Sequence, residues 1–439
     1  FKQKTAYEIV DCDWSSDVCS SDLKIVIALS LIVTVFISIT LTAQDTATIS
    51  KLPLHKRNIF TLGLYKQPGA DSMVDFVDGL YRVFNIKKIR SQEEKTDKLH
   101  YTFVPGIEYS LATGFASSVS ASVILPYKTK LDNRSIISSE LKYTQNKQII
   151  SQVVSNLWLK NNEYNINTNW AYLKYPQKDF GLGSSSSLNL VDELDYSYLK
   201  LYQSVLKRIS PNLYFGPGLN IDYHWNITDT TTQNKPINGF KEYGFTRHSN
   251  SVGLLLNLLY DTRKSLVNPV ANSTYFNVVY RDNLSFLGSD VPWQTFVLDY
   301  RKYLPFPKES KNILAFWSYN IFTLAGKQPY LDLPYTAADT YNNTGRGYIQ
   351  GRFRGAQLVY AESEYRFGIT ENGFIGGVVF ANVQSVSERQ DKPLQSILPG
   401  YGAGIRIKIS KHSNTNIAID YGIGSGGSKG IFMNLGEVF

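Results

Sequence analysis

Residues able to do chemistry are few in this sequence, and their spacing argues against most chemistries. The five histidines, His55, His100, His224, His248 and His412, include no pair at metal-ligand spacing, so a histidine metal centre is not expected. Gly183-Ser184-Ser185-Ser186-Ser187 follows Asp179-Phe180-Gly181-Leu182 rather than a buried strand opening a helix; it is no nucleophile elbow and reads as a flexible hairpin loop. Gly422-Ile423-Gly424-Ser425-Gly426-Gly427 lacks the helix and the Gly-Lys-Ser/Thr of a phosphate loop and reads as the last outer loop of a strand array. No catalytic residue, metal or cofactor is expected. What remains is ion pairing. Arg346, in Arg346-Gly347-Tyr348, carries a planar five-donor fork, and Glu362 and Glu364 share one face of a later segment, where a carboxylate can accept two bonds. Gly345 and Gly347 beside the arginine leave room for close backbone approach.

The elements that must position these groups have a period of two. Phe296, Leu298 and Tyr300 share one face against Thr295, Asp299 and Arg301. Ala361, Ser363, Tyr365 and Phe367 oppose Glu362, Glu364 and Arg366; Ile405, Ile407 and Ile409 oppose Arg406, Lys408 and Ser410; Ile417, Ile419 and Tyr421 oppose Asn416, Ala418 and Asp420. Charges on one face and apolar groups on the other fit a wall between lipid and a wet interior. Sixteen such segments begin near residues 101, 114, 137, 148, 164, 194, 212, 249, 272, 293, 312, 358, 373, 398, 414 and 430. Many run 9 to 13 residues, nearer the length of a tilted membrane strand than the five or six typical of soluble ones. Short connections such as Ser210-Pro211-Asn212 and Asn372-Gly373 contrast with long ones over 226–247, 325–355 and 385–397, as two unlike membrane faces require. The fold class expected is an all-β membrane protein, a 16-stranded antiparallel transmembrane β-barrel over 101–439. The composition agrees: of 439 residues 13% are aromatic, with 30 Tyr and 23 Phe, and 19% are charged, which excludes disorder. A single apolar run excludes a polytopic helical protein. Trp158, Trp170, Trp293 and Trp317 are expected in the interfacial girdles of such a barrel.

That one apolar run, Ile25 to Ala43 after Lys24, reads as a signal peptide over 24–43. Residues 1–23 hold five acids where cations belong, and Asp13 to Leu23 resembles translated sequencing adapter, so this stretch is expected to be foreign; a proteomic peptide covering Cys19 would overturn that. Both cysteines, Cys12 and Cys19, lie within it, leaving 44–439 without a thiol. Without residues 1–43 the chain has 42 cations and 32 anions, a balance suited to an anionic lipid surface or a charged pore wall. Segment 44–100 is read as periplasmic; Met73, Phe76, Val77, Leu80, Val83 and Phe84 would share one face of an amphipathic helix there.

Several motifs in order resemble the bacterial surface antigen family, the barrel superfamily of BamA and TamA. They are Val104-Pro105-Gly106-Ile107-Glu108-Tyr109, Tyr260-Asp261-Thr262-Arg263, Phe286-Leu287-Gly288-Ser289, Asp299-Tyr300-Arg301, Arg346-Gly347-Tyr348, Gly351-Arg352-Phe353-Arg354 and Glu364-Tyr365-Arg366. The resemblance implies that the Arg-Gly-Tyr loop folds into the lumen and that Arg346 contacts Glu362 and Glu364 on the inner wall. Where the family has a second acid in the following strand this sequence has Asn382. It also implies that the last strand, with Ile431, Met433 and Leu435 alternating before the terminal Phe439, is the signal read by the cell's barrel-insertion machinery. Deleting Phe439 is then expected to lower membrane insertion. Translocating members carry periplasmic POTRA modules before the barrel; 44–100 lacks their βααββ order, so the sequence reads as a short member without them.

Two functions follow as expectations. The first is an outer-membrane barrel assisting protein or lipid insertion or transport through a weak seam between its first and last strands. The alternative is a passive porin-like or structural surface barrel. Expected partners are outer-membrane lipids including lipopolysaccharide, the assembly machinery for the chain's own insertion, and protein or lipid clients; nucleic acid is not expected.

Overall fold

The computed structural model describes residues 73–75, 99–126, 133–189, 191–229, 239–244, 246–265, 267–410 and 414–439. The expected leader, signal peptide and amphipathic helix lie outside the described residues, apart from Met73–Asp75. There the Val74 amide donates to the Asn372 carbonyl at 3.0 Å.

Seventeen strands follow in chain order: β1 (His100–Ser110), β2 (Gly114–Ile124), β3 (Ile136–Thr144), β4 (Ile149–Leu159), β5 (Tyr164–Lys174), β6 (Gln177–Asp179), β7 (Asp192–Ser210), β8 (Leu213–Asp229), β9 (Ser249–Asp261), β10 (Thr274–Asn283), β11 (Trp293–Pro305), β12 (Ile313–Gly326), β13 (Gln357–Gly368), β14 (Ile375–Ser387), β15 (Leu398–Ser410), β16 (Thr415–Gly424) and β17 (Lys429–Leu435). Neighbours pair antiparallel, and β6 continues the line of β5 along β7, so the wall has sixteen staves, as the alternation predicts. The sixteen expected starts fall within two residues of the observed ones. The three long connections share one rim and the two short ones the other.

Register decides which alternating set faces inward. Arg281 pairs with Thr295, Asp299 with Tyr319, Trp317 with Glu362, and Glu362 with Asn382, so one row of polar and charged side chains runs round the interior. The opposite row is lipid-like: Leu254, Leu256, Tyr300, Phe316, Val379, Ile405 and Tyr421 are exposed. Period-two strands can satisfy both environments because, away from the β1 and β17 edges, their backbone N–H and C=O groups pair with neighbouring strands.

Trp170 lies on the outward row of β5, and the girdle expectation fails for the other three tryptophans. Trp158, Trp293 and Trp317 fall in the inward row of the register. Trp293 and Trp317 are buried, with Arg281 and Arg301 over their rings at 4.9 and 4.5 Å. Their indole N–H groups donate to Ser251 Oγ at 3.2 Å and Asp299 Oδ1 at 2.9 Å. Cation–π attraction and a satisfied N–H make a polar interior a good site for indole.

The wall is not sealed. Leu111 lies against Gly430, but among the described residues no ladder of paired residues joins β1 to β17. β17 has seven residues against eleven in β1, and β1 carries Pro105, which has no amide to donate.

Candidate functional site

The connection between β12 and β13, residues 327–356, turns back inside the barrel. It opens on a 3-10 turn, Tyr330–Asp332, and is stitched by its own acids: Asp339 Oδ1 accepts the amides of Asn343 and Thr344 at 2.8 and 2.7 Å. Gly345 (φ 82°) and Gly347 (φ 108°) then bend the chain around Arg346 in a conformation side chains resist.

Arg346 is 1% exposed and touches three carboxylates. Its Nη2 donates to Glu362 and to Glu364 on β13, and its Nη1 to Asp420 Oδ2 on β16 at 2.6 Å. The guanidinium also stacks on Phe380, 3.7 Å from the ring centre. Asn382 meets the loop differently from an acid: its Nδ2 donates to the Arg346 carbonyl at 2.9 Å and lies 3.3 Å from Glu362. Asp420 brings the third carboxylate to the guanidinium. Sequence reasoning placed Asp420 on a polar face without pairing it; its alternation with Ile419 and Tyr421 was the only signal.

Two further arginines extend the set. Arg366 Nε donates to Glu364 at 2.5 Å and faces Glu437 at 3.7 Å; Arg406 contacts Asp420 at 2.5 Å and Glu437 at 2.7 Å. Three arginines and four carboxylates thus alternate through the loop, β13, β15, β16 and the residues after β17. Each buried ion has a partner of opposite sign, the condition under which such burial is tolerated.

A trough of glycines makes room for the loop. Side chains at Gly400, Gly422 or Gly424 would come within 2.8 Å of the Arg346 carbonyl, 2.6 Å of the Gly347 amide and 2.6 Å of the Tyr348 ring. Tyr348 is buried, and its hydroxyl donates to the Pro399 carbonyl at 2.5 Å while accepting the Ser425 amide at 2.8 Å. The signal for this trough was present as Gly at every second place in 400–404 and 422–424, and passed unread.

The loop has a second set of anchors on other staves. Tyr330 donates to Asp179 at 2.6 Å, Arg354 lies 3.5 Å from Asp179, and Ser251 Oγ donates to Asp332 at 2.7 Å. Burial, then the nearby Asp222 charge, pushes the Asp332 carboxyl up to about 8. The stretch read as a flexible hairpin, Gly183–Ser187, is also fastened: Ser184 Oγ donates to the Val386 carbonyl at 3.0 Å and accepts its amide at 2.9 Å.

Of the residues expected in the insertion signal, Ile431, Met433 and Leu435 lie on the outward row of β17, opposite Tyr421, Ile419 and Ile417. Phe439 does not continue that row. After Gly436 (φ 96°) the chain enters the lumen, where Phe439 is 3% exposed, 5.1 Å from the Trp317 ring and 6.2 Å from Tyr303.

The fold of this sixteen-stave, nearly closed barrel is similar to that of solved barrel proteins. Solved structures agree at the level of fold. BamA from Haemophilus ducreyi lacking POTRA domains 1–3 superposes with TM-score 0.52 and 12% identity, over 77% of this chain and 70% of that one. CdiB from Acinetobacter baumannii gives 0.50 and 12%, over 77% and 60%; CdiB from Escherichia coli gives 0.50 and 8%, over 78% and 67%. The chain therefore spans about two thirds of these proteins. No family model and no curated protein matches the sequence.

Proposed function

We propose that this chain is an outer-membrane barrel of the assembly and translocation type, which passes or inserts protein or lipid through the seam between β1 and β17. The observation that carries this reading is the seam itself. Among the described residues every other neighbouring pair of staves is laddered, while β1 and β17 meet without one. An unpaired strand edge is a template for another strand and is costly in lipid unless it has a use. The buried Arg346 set supports the reading by fixing β13 to β16, so that movement is confined to the seam. In this proposal the rim bearing the long loops faces outward, the short-turn rim faces the periplasm, and lipopolysaccharide, phospholipid and unfolded barrel or lipid clients are the partners; the cell's own assembly machinery inserts the chain, reading Ile431, Met433, Leu435 and Phe439.

The test is gene deletion with measurement of outer-membrane protein and lipid levels, alongside single-channel conductance of the purified barrel. Loss of particular outer-membrane proteins or lipids, restored by the wild-type gene, is expected. Large steady conductance with no assembly phenotype would reject the proposal in favour of a passive porin, a reading that the in-turned loop, with Arg346, Tyr348 and Arg354 buried, disfavours.

A further inference from the structure

We infer that the lipid-facing wall binds a phosphorylated glycolipid at the rim of the long connections, where β5 and β8 end and β7 and β9 begin. The inference deepens the lipid-partner reading above by giving one partner a site, and it takes from that reading the placing of this rim at the outer leaflet.

The site starts from a bulge. Ser197 of β7 pairs with Trp225 of β8, but the next pair is Asp195 with Thr228, so Tyr196 stands against both Asn226 and Ile227, and Asn226 takes φ 55°. The extra residue bends the strand and switches its faces. Ile227 turns inward, 1% exposed, into the cluster with Tyr330 of the in-turned loop, while Trp225 and Thr228 both stay on the outward side.

On that side lies a groove of about 1130 Å³, whose lining includes Lys174, Asp195, Tyr223, Trp225, Arg247 and His248. Tyr223 and Trp225, two apart on one face of β8, stack with ring centres 5.1 Å apart and planes 18° apart, and Tyr172 of β5 backs Trp225 at 6.0 Å. Register brings Lys174, Ser197 and Trp225 to one depth. The two acids of the groove leave its cations in surplus. Asp195 is neutralised by Lys174 at 3.2 Å, and Asp229 pairs with buried Leu194 on the inward row. Arg247 and His248, at the start of β9, are exposed.

From mid-wall to rim the surface is graded as an amphiphile is. The outward row of β8 reads Leu219, Ile221, Tyr223, Trp225, with Leu219 and Tyr223 each 39% exposed. Acyl chains fit the aliphatic pair. The stacked rings offer a flat apolar face for the C–H side of a sugar ring, and Arg247, with Lys174 near, offers planar donors to a phosphate. A glycerophospholipid brings phosphate and tails but no ring for the aromatic face, and its head is small for a groove at the upper end of ligand-pocket sizes.

The test uses the purified full chain in detergent, with native mass spectrometry reading retained lipid and heat-dependent gel mobility reporting that each variant is folded. The probes are diphosphorylated lipid A, phosphatidylglycerol and phosphatidylcholine, all without divalent cations. Wild type is expected to hold lipid A about tenfold or more tightly than either phospholipid. Arg247→Gln should weaken lipid A by about tenfold, the scale of one charge-assisted bond, and Trp225→Ala by a similar factor. Trp225→Phe, which keeps a ring, should recover most of that loss. Lys207→Gln, on the outward row at the opposite rim, should change nothing. Unchanged lipid A retention in Arg247→Gln or in Trp225→Ala overturns the site. So does phosphatidylglycerol held as tightly as lipid A, a Trp225→Phe variant as weak as Trp225→Ala, or an equal loss in Lys207→Gln. None of these outcomes depends on the seam: a barrel that binds lipid A here but shows no assembly phenotype fails the transport reading alone.

Discussion

Replacing Arg346 by alanine removes a cation that faces three carboxylates, and the structure says which of them suffers. Glu364 retains Arg366 at 2.5 Å, and Asp420 retains Arg406 at 2.5 Å. Glu362 retains only neutral donors, the Tyr360 hydroxyl at 2.5 Å and the Asn382 amide at 3.3 Å. The variant therefore creates one uncompensated buried carboxylate rather than three. Removing one partner of a buried pair costs about 3–5 kcal/mol, whereas an exposed pair would cost at most about 1 kcal/mol. The expected loss corresponds to roughly two to three and a half decades in the unfolding equilibrium. Urea titration of the barrel in lipid vesicles, followed by tryptophan emission and by heat-dependent gel mobility, measures it. Adding Glu362→Gln to Arg346→Ala should recover about 1–3 kcal/mol, since the amide needs no counter-charge. A loss below about 1 kcal/mol for Arg346→Ala, or no recovery in the double variant, would refute the assignment of Arg346 as the buried counter-ion of Glu362.

Three further outcomes are expected. Gly424→Ala sets a methyl 2.6 Å from the Tyr348 ring, so it should cost about 1–3 kcal/mol and expose the loop to trypsin at Arg352 and Arg354; unchanged cleavage would count against the glycine trough. Asp332 holds its proton in the folded chain up to about pH 8, so the wild-type barrel should lose stability as pH rises from the usual carboxylate range to about 8. Asp332→Asn should flatten that slope, and equal pH 5 to pH 9 differences in urea midpoint for both proteins would contradict it. Phe439→Ala empties a site walled by Trp317 and Tyr303 and should cost about 3–5 kcal/mol by the same titration, against almost nothing if the ring lay loose at the rim.

The strands were legible because period two is a local property: Asp299 and Arg301 against Leu298 and Tyr300 announces an inside and an outside whatever the rest of the chain does. Alternation showed that Glu362 and Glu364 share a face, but their pairing with Arg346 was implied only by the family resemblance of Arg346-Gly347-Tyr348. Three tryptophans were misplaced because aromatic residues suit both a lipid interface and an arginine-lined interior, and type alone does not choose between them. Asp420 and Glu437 were missed as partners because they lie 74 and 91 residues beyond Arg346, a separation that no local pattern bridges.

By itself, then, the sequence determined the number of staves, their approximate ends and which residues share a face. Only the barrel wall decided that Asp420 faces Arg346, that Glu437 lies between Arg366 and Arg406, that among the described residues β1 and β17 meet without a ladder, and that Phe439 turns inward. Alternation is written into each strand by its own side chains, but a contact across the lumen exists only once register around sixteen staves has brought distant positions to the same depth.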